Sequence, residues 1–237
     1  MKFLALSNWT KSTYYNKNIL YPQNLASLRK ILNSNEIGIC GNLKSFNDAS
    51  INKKKLISLK KFPKKIIIDK KKSLLHVSSN CLLIDVLKKI VPEGYMISVT
   101  PGSKYVTIGG MISHNVIGKN SINNQFKYIL KEFQLLTSNK KILNCSSKSN
   151  KKFFDLTIGG FGLTGIILNA TIKLKKIKSQ FIEQNILHFN NINEFEKIFK
   201  RKSRFNVSWI DSHSLNKKKF IGLFYTGEYT KKNIKIS

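Results

Sequence analysis

Hydrophobic positions in the first half of the chain recur at two spacings and predict a mixture of helices and strands. Segments 22–32 and 83–90 place Leu, Val and Ile three and four residues apart, which is the spacing of one apolar helix face. Segments 37–40, 66–68 and 74–77 are short apolar runs bounded by polar residues or glycine, as in buried strands. The lysines between the last two runs predict a charged turn that joins adjacent strands.

The second half begins with strand patterns and then changes character. Phe133 to Ile142 predicts a hairpin through Ser138-Asn139, and Leu168 to Leu174 alternates apolar and polar residues like a half-buried strand. Beyond about Lys178 we predict a helix that Asn193 caps, with strands at 205–209 and 220–225. The fold class is therefore α+β, with one domain over residues 1–178 and the start of a second, 179–237, whose sheet the chain leaves unfinished.

The chain is strongly basic, but its basic residues give little indication of nucleic-acid binding. Lys and Arg number 42 against 12 Asp and Glu, a net charge of +30. Only Arg29, Arg201 and Arg204 are arginines, whereas phosphate recognition tends to use the bidentate fork of arginine. The lysines also form short runs beside expected turns. These features favour a solvated basic surface and no nucleic-acid partner, while a basic binding module for anionic surfaces stays the alternative.

The cysteines and the length of the apolar runs indicate only the general class and compartment of the protein. Cys40, Cys81 and Cys145 are odd in number and far apart, so they suggest neither a disulfide framework nor a metal site. A reduced compartment suits them best. No apolar run approaches the roughly 18 residues of a spanning helix. We therefore expect a cytoplasmic protein that is at most peripheral to the inner membrane.

Three loops rich in Gly, Ser and Asn are the candidates for ligand binding. They are residues 41–48, 101–110 and 157–165, and the tetrad Thr-Ile-Gly-Gly occurs in the second and again in the third. The whole stretch 101–124 carries few large apolar residues, which predicts a loop outside the core. Glycine lets a ligand approach the main chain closely. Three such loops favour an elongated ligand such as a dinucleotide, although the G-x-G-x-x-G spacing of a nicotinamide site is missing after the first strand.

The order of these motifs resembles a known family of flavoproteins. The motifs are Gly41 to Asp48, then Pro101-Gly102-Ser103 with Thr107-Ile108-Gly109-Gly110, then Gly118-Lys119-Asn120, then Gly159-Gly160-Phe161-Gly162. Together they resemble the FAD-binding domain of the vanillyl-alcohol-oxidase (PCMH-type) superfamily. The chain is most similar there to the decaprenylphosphoryl-β-D-ribose oxidase family and related sugar and lactone oxidases. The resemblance extends from about Ser7 to Asp211 and implies two α+β subdomains with FAD between them, followed by the start of an antiparallel-sheet substrate domain.

The resemblance also assigns roles to individual residues. It places the first loop around the pyrophosphate of FAD, through Gly41, Asn42, Leu43, Lys44, Ser45, Phe46 and Asp48. It places a second set at the flavin: Gly102, Thr107, Ile108, Gly109, Gly110, His114, Asn115, Val116, Ile117 and Ile167. It places Lys119, Asn120 and Trp209 on the substrate side.

Several positions depart from the family pattern. Leu43 and Asn47 stand where the family has glycines, Phe46 replaces a tyrosine, Lys44 an arginine and Ile117 a histidine. No histidine lies between residues 41 and 48, so we expect FAD to be bound non-covalently. His114 is interpreted as a hydrogen-bonded structural residue.

The function that the resemblance implies is an FAD-linked oxidoreductase acting on CH–OH groups. The substrate expected is a secondary alcohol of a sugar or lipid-linked sugar, as in polyprenylphosphoryl-ribose 2′-oxidation, with a short-chain reductase as partner. Aldonolactone oxidation is the alternative. The family has its catalytic residues in the C-terminal third, so they are left unassigned. The chain is expected to be C-terminally truncated, as an inactive fragment or as half of a split enzyme whose remainder a second chain supplies.

Overall fold

The computed structural model describes residues 5–11, 14–16, 19–32, 37–51, 55–119, 124–200, 203–216 and 219–230. The strands are β1 (Ala5–Ser7), β2 (Tyr14–Asn16), β3 (Ile19–Leu20), β4 (Ile37–Cys40), β5 (Lys55–Ser58), β6 (Ile66–Asp69), β7 (Leu74–Ser78), β8 (Tyr95–Met96), β9 (Leu130–Leu136), β10 (Ile142–Ser146), β11 (Ile166–Lys173), β12 (Lys175–Lys176), β13 (Ile182–Phe189), β14 (Phe205–Ile210) and β15 (Gly222–Tyr229). The helices are α1 (Leu25–Ile31), α2 (Leu83–Ile90), α3 (Ile108–Ser113), α4 (Lys151–Thr157), α5 (Ile192–Phe199) and α6 (Ser212–Asn216).

A five-stranded antiparallel sheet with the strand order β10-β9-β11-β7-β6 forms the centre of the fold. Its largest apolar cluster joins strand residues such as Val77 and Phe133 to Val86 of α2, Met111 of α3 and Phe154 of α4. Because strand side chains alternate between the two faces of a sheet, only one face can bury this set.

The opposite face of the same sheet carries polar side chains that pair across strands. Thr171 of β11 bonds Nδ1 of His76 at 3.1 Å and donates to Glu132 Oε1 at 3.1 Å. Gln134 joins Asn169 and Asn144 in the same way. The solvent-side face is therefore held together by cross-strand hydrogen bonds.

A smaller parallel sheet, ordered β3-β5-β4, precedes the central sheet in the chain. The crossover between β3 and β4 contains α1, whose Leu28 is fully buried against Ile57, Leu136 and Ile166. Asn24 caps α1, since its side chain accepts from the Ser27 amide at 2.9 Å. Parallel pairing requires such a crossover. β4 ends at Cys40, so its carboxyl end leads directly into residues 41–48.

A third sheet, ordered β13-β15-β14, lies in the C-terminal part of the chain. α5 packs on it through aromatic contacts, with the rings of Phe189 and Phe195 5.1 Å apart. The Asn206 amide of β14 donates to the Lys119 carbonyl at 2.8 Å, which joins this sheet to the loop after α3. The domain boundary near residue 178 stays a prediction.

Most elements predicted from hydrophobic spacing are confirmed. They include α1, α2, β4, the adjacent strands β6 and β7, the β9–β10 hairpin, β11 and β14. The last strand covers residues 222–229 instead of 220–225. The third sheet contains three strands in the described chain, whereas we predicted two strands and a helix; the strand that was not predicted is β13.

Two predictions are wrong. Residues 101–124 are not wholly outside the core, because α3 forms there and buries Ile108, Met111 and Ile112 completely. Asn191 rather than Asn193 caps α5, accepting from the Glu194 amide at 2.9 Å. Both errors concern short local signals, which tertiary packing and exact chain geometry decide.

Among the described residues, no helix combines the length and the hydropathy needed to cross a membrane.

Substitution of the observed cap should destabilise α5 more than substitution of the predicted one. We expect Asn191→Ala to lose about 1 kcal/mol of unfolding free energy, because an N-cap side chain satisfies an otherwise unpaired amide. Asn193→Ala is the control and should be neutral or slightly stabilising, since alanine favours helix interiors. Urea unfolding followed by circular dichroism measures both, and a larger loss for Asn193→Ala would contradict the assignment.

The Cys40 thiol should make stability fall at alkaline pH. Burial raises the pKa of Cys40 to about 11, above the roughly 8.5 of an ordinary thiol. The folded chain therefore keeps a proton that the unfolded chain has lost, and this contribution to stability declines as pH rises through that window. We expect urea unfolding at pH 8 and pH 10 to show a smaller alkaline loss for Cys40→Ala than for the native chain. Equal alkaline losses of stability in Cys40→Ala and in the native chain would contradict this role of the thiol.

Candidate functional site

The three glycine-containing loops meet at one edge of the fold. The first loop, residues 41–48, follows β4; the second, residues 101–107, leads into α3; the third, residues 158–165, connects α4 to β11. Asn42 Nδ2 donates to the Tyr105 carbonyl at 2.8 Å, which ties the first loop to the second. The Phe161 amide donates to the Ser113 carbonyl at 3.0 Å, which ties the third to the end of α3. Segments far apart in sequence therefore form one continuous surface.

Glycine permits the closest of these approaches. A Cβ atom added to Gly41 would lie 2.5 Å from Thr107 Oγ1, and one added to Gly162 would lie 2.7 Å from Ile39 Cγ2. Gly162 also has a φ of +82°, a conformation that other residues adopt only with strain. By contrast, a Cβ at Gly102 would meet nothing within 4 Å. Gly41 and Gly162 are thus required by packing, whereas Gly102 leaves open space beside the second loop.

The first loop presents backbone donors that the rest of the described chain does not use. No amide from residues 42 to 48 donates to a described acceptor. Leu43 has a φ of +51°, and its side chain packs on the small cluster of Cys40 and Leu56. The leucine at this glycine position therefore directs its side chain into the fold, so the chain keeps a turn that can gather amide groups around an anion. Phe46 is 76% exposed, and Asp48 is also exposed.

The amides at the start of α3 are already used inside the protein. The Thr107 side chain caps the helix by accepting from the Gly110 amide at 3.1 Å. The Ile108 amide donates to Cys81, and the Gly109 amide donates to Ser79. The N-terminus of α3 therefore does not offer free amides, and its contribution to a ligand surface is the bare backbone of its two glycines.

His114 connects the first and third loops from the C-terminal end of α3. Its Nδ1 lies 3.2 Å from the Gly110 carbonyl, so it acts as the donor there, and Nε2 lies 3.3 Å from Ser45 Oγ. The ring contacts Phe161 edge-on, with centroids 4.9 Å apart. These contacts suit a hydrogen-bonded structural residue, the role interpreted from the sequence.

Residues 115–117 fix the chain that follows α3. Asn115 accepts from the Lys127 amide at 3.0 Å and donates to Gln125 Oε1 at 3.3 Å. Val116 packs against the main core. Ile117 is exposed. Their structural role is to join α3 to residues 124–128.

Ile167 is linked to the start of α3 through Ser79, a residue that the sequence analysis did not predict. Ser79 is buried, donates from its hydroxyl to the Ile167 carbonyl, and accepts from the Gly109 amide at 2.8 Å. A Cβ on Gly109 would lie 3.1 Å from Ser79 Cβ. The only sequence signal was a polar pair, Ser79-Asn80, in a strand-to-helix connection.

Of the three residues predicted on the substrate side, Lys119 and Asn120 are adjacent in the sequence and Trp209 is distant from both. Lys119 and Trp209 lie in the described chain. The Lys119 carbonyl accepts from Asn206 of β14. Trp209, on the same strand, is 67% exposed. Asn120 lies outside the described residues.

An open groove of about 390 Å³ borders the second loop. Its lining includes Trp9, Leu87, Gly102, Lys104 and Tyr105. Lys44 Nζ lies 4.8 Å from the centre of the Trp9 ring, so the groove adjoins the first loop. A concavity of about 440 Å³ beside α1 is lined by residues 20–24, 27, 30 and 31 and includes none of the loop residues.

These features fit an FAD-binding domain of the PCMH type, and comparison with known families agrees. A family model described as "FAD binding domain" matches residues 17–146, which is more than half of the chain. The chain therefore belongs to this family, and its cofactor is FAD.

Curated relatives are flavoprotein oxidases and dehydrogenases. The chain is 33% identical to decaprenylphosphoryl-beta-D-ribose oxidase of Mycolicibacterium smegmatis, over 48% of this chain and 25% of that protein. It is 30% identical to cytokinin dehydrogenase 2 of Arabidopsis thaliana, over 46% of this chain and 22% of that protein. It is 24% identical to L-gulonolactone oxidase of Mus musculus, over 73% of this chain and 40% of that protein. The match thus spans less than half the length of each relative.

Substituting Gly41 should disturb the contact between the first two loops. We expect Gly41→Ala to lose about 1–3 kcal/mol of unfolding free energy, because its Cβ would displace the hydroxyl that caps α3. Gly102→Ala is the matched control and should be near neutral. Thr107→Ala should remove the clash, so the double variant should lose less than the sum of the single losses. Urea unfolding of the four variants measures this, and equal losses for Gly41→Ala and Gly102→Ala would contradict it.

Proposed function

We propose that this chain binds FAD without a covalent bond and forms the cofactor-binding part of an oxidoreductase that oxidises a secondary alcohol of a sugar. The observation that carries the proposal is the meeting of three glycine-containing loops around amides without described acceptors. Anionic phosphates are the ligands that such amides favour. FAD has two phosphates between its adenosine and flavin parts, so it suits an extended surface.

The proposed contacts follow from the position of each loop. The first loop, from Gly41 to Asp48, would hold the pyrophosphate through its amides and through the Lys44 ammonium. The backbone around Gly109 and Gly110, the residues from His114 to Ile117, and Ile167 would border the flavin. Lys119, Asn120 and Trp209 would lie towards the substrate. When bound, FAD supplies the acceptor for a hydride taken from the alcohol carbon.

The residues of this chain would bind and orient rather than transfer protons. The His114 ring is held on two sides by hydrogen bonds to Gly110 and Ser45, which makes it a positioning group for the loops. No residue of the chain is proposed as the base that takes the hydroxyl proton.

The substrate is proposed from the relatives. Decaprenylphosphoryl-beta-D-ribose oxidase supports a lipid-linked pentose, and the proposal includes a reductase partner that acts on the oxidised sugar. L-gulonolactone oxidase, which aligns over a larger share of this chain, supports a free aldonolactone as the second candidate. The rates at which the completed catalytic unit oxidises a polyprenylphosphoryl ribose and an aldonolactone, in the presence of a dye acceptor, distinguish the two candidates. Because the chain spans only part of these relatives, we propose that further polypeptide completes the catalytic unit.

FAD should stabilise the purified chain against heat. At a concentration one hundred times the dissociation constant, a ligand that binds only the folded state adds about 2.7 kcal/mol, or roughly 5–10 °C in Tm for a chain of this size. Differential scanning fluorimetry with and without FAD measures the shift, and riboflavin, which lacks the pyrophosphate, is the control.

Acid precipitation of the FAD-loaded chain tests the mode of attachment. Non-covalent binding leaves the yellow colour in the supernatant, whereas flavin that stays in the pellet would contradict it. An unchanged Tm at saturating FAD would count against cofactor binding altogether.

A further inference from the structure

A short segment near the start of the chain lies against the first loop. The Trp9 amide donates to the Ser45 carbonyl at 2.9 Å. Asn8 Nδ2 and Thr10 Oγ1 both donate to the Phe46 carbonyl, at 3.0 Å and 2.9 Å. We call Asn8, Trp9 and Thr10 the clasp. It takes two successive carbonyl groups of the loop as its acceptors.

Peptide geometry converts this contact into a direction for the loop amides. In a planar trans peptide, the carbonyl of one residue and the amide of the next point in opposite directions. Since the Ser45 and Phe46 carbonyls point towards the clasp, the amides of Phe46 and Asn47 point away from it. In an extended chain successive carbonyls would alternate in direction; here both amides face the same side.

Neither of these amides has an acceptor among the described residues. Two parallel amides without acceptors form the kind of backbone concavity that binds an anion. Lys44 of the first loop supplies a neighbouring charge, and the clasp contacts it, because Lys44 Nζ lies 4.8 Å from the centre of the Trp9 ring, within the range of a cation–π contact. The arrangement suits the anionic oxygens of a phosphoryl group.

We propose that the clasp is a positioning segment for pyrophosphate recognition: by donating hydrogen bonds to the loop's carbonyls, it aims the amides of Phe46 and Asn47 at a phosphoryl group. The inference rests on the proposed function and deepens it, because it assigns a role to three residues outside the glycine-containing loops. The clasp acts through the loop and is not itself expected to contact the ligand's phosphate.

Thr10 offers the sharpest test because it is exposed and has two matched substitutions. Thr10→Val keeps the shape and removes the hydroxyl donor, whereas Thr10→Ser keeps the donor. Loss of one hydrogen bond that orders the loop should weaken binding about three- to tenfold. We expect Thr10→Val to weaken FAD and ADP by the same factor, since both probes carry a pyrophosphate. Thr10→Ser should stay within about twofold of the native chain.

Titration calorimetry of the full 237-residue chain with FAD and with ADP gives the affinities. Hydrogen exchange gives a second readout, since ADP should slow exchange in the peptide covering residues 42–48 of the native chain and slow it less in Thr10→Val. Asn8→Ala provides an independent variant with the same expected direction. Thermal unfolding without ligand checks that each variant is folded.

The outcomes separate the two proposals. ADP binding by Thr10→Val and Asn8→Ala as tight as that of the native chain would overturn the clasp and leave FAD binding intact. A weaker affinity for FAD with an unchanged affinity for ADP would also overturn it. A native chain that binds neither FAD nor ADP would overturn the proposed function, and the role of the clasp with it.

Discussion

The candidate site depends on one close contact, between the end of β4 and the start of α3. Gly41 follows the last residue of β4, and any side chain there would occupy the place of the Thr107 hydroxyl. That hydroxyl caps α3 through the Gly110 amide. The close contact of Gly41 with the Thr107 hydroxyl therefore holds the parallel sheet near the central sheet. The parallel sheet carries the first loop, and α3 packs on the central sheet. Phe161 and His114 then bring the third loop to the same place.

The backbone amides are used differently in α3 and in the first loop. The amides at the start of α3 are used by Cys81, Ser79 and Thr107, so this helix contributes to stability through its own hydrogen bonds. In the first loop, by contrast, carbonyls are bonded inward while amides stay available. A loop whose carbonyls are paired while its amides stay available suits an anionic ligand.

Two of the substitutions that separate this chain from its family pattern, Leu43 and Lys44, are accommodated by tertiary contacts. Leu43 keeps a left-handed conformation at a glycine position because its side chain packs on Cys40 and Leu56. Such a conformation costs a non-glycine residue of order 1–3 kcal/mol, which the buried contact offsets. Lys44 keeps the positive charge of the family's arginine and lies over Trp9. Lys44 therefore has a defined contact, although the chain contains many lysines.

The sequence was sufficient for elements with several apolar residues at regular spacing. α2 and the β9–β10 hairpin are of this kind, because their hydrophobic periodicity is set by the helix or strand itself. It was also sufficient for the three loops, since Gly, Ser and Asn interrupt regular structure wherever they cluster. It failed for α3, whose six residues include two glycines and a serine. That helix forms because Thr107 caps it and because the central sheet buries Ile108, Met111 and Ile112.

By itself, then, the sequence determined the glycine-containing loops and those helices and strands whose apolar residues recur at regular spacing, because these properties depend on neighbours a few residues away. The meeting of the loops, the role of Ser79 and the contact of Asn8, Trp9 and Thr10 with the first loop were decided only by tertiary structure. They join residues 36 to 88 positions apart in the chain, and no local pattern records which distant carbonyl a donor will reach. The direction of the loop amides depends on that choice of acceptor, so it became visible only when the chain was folded.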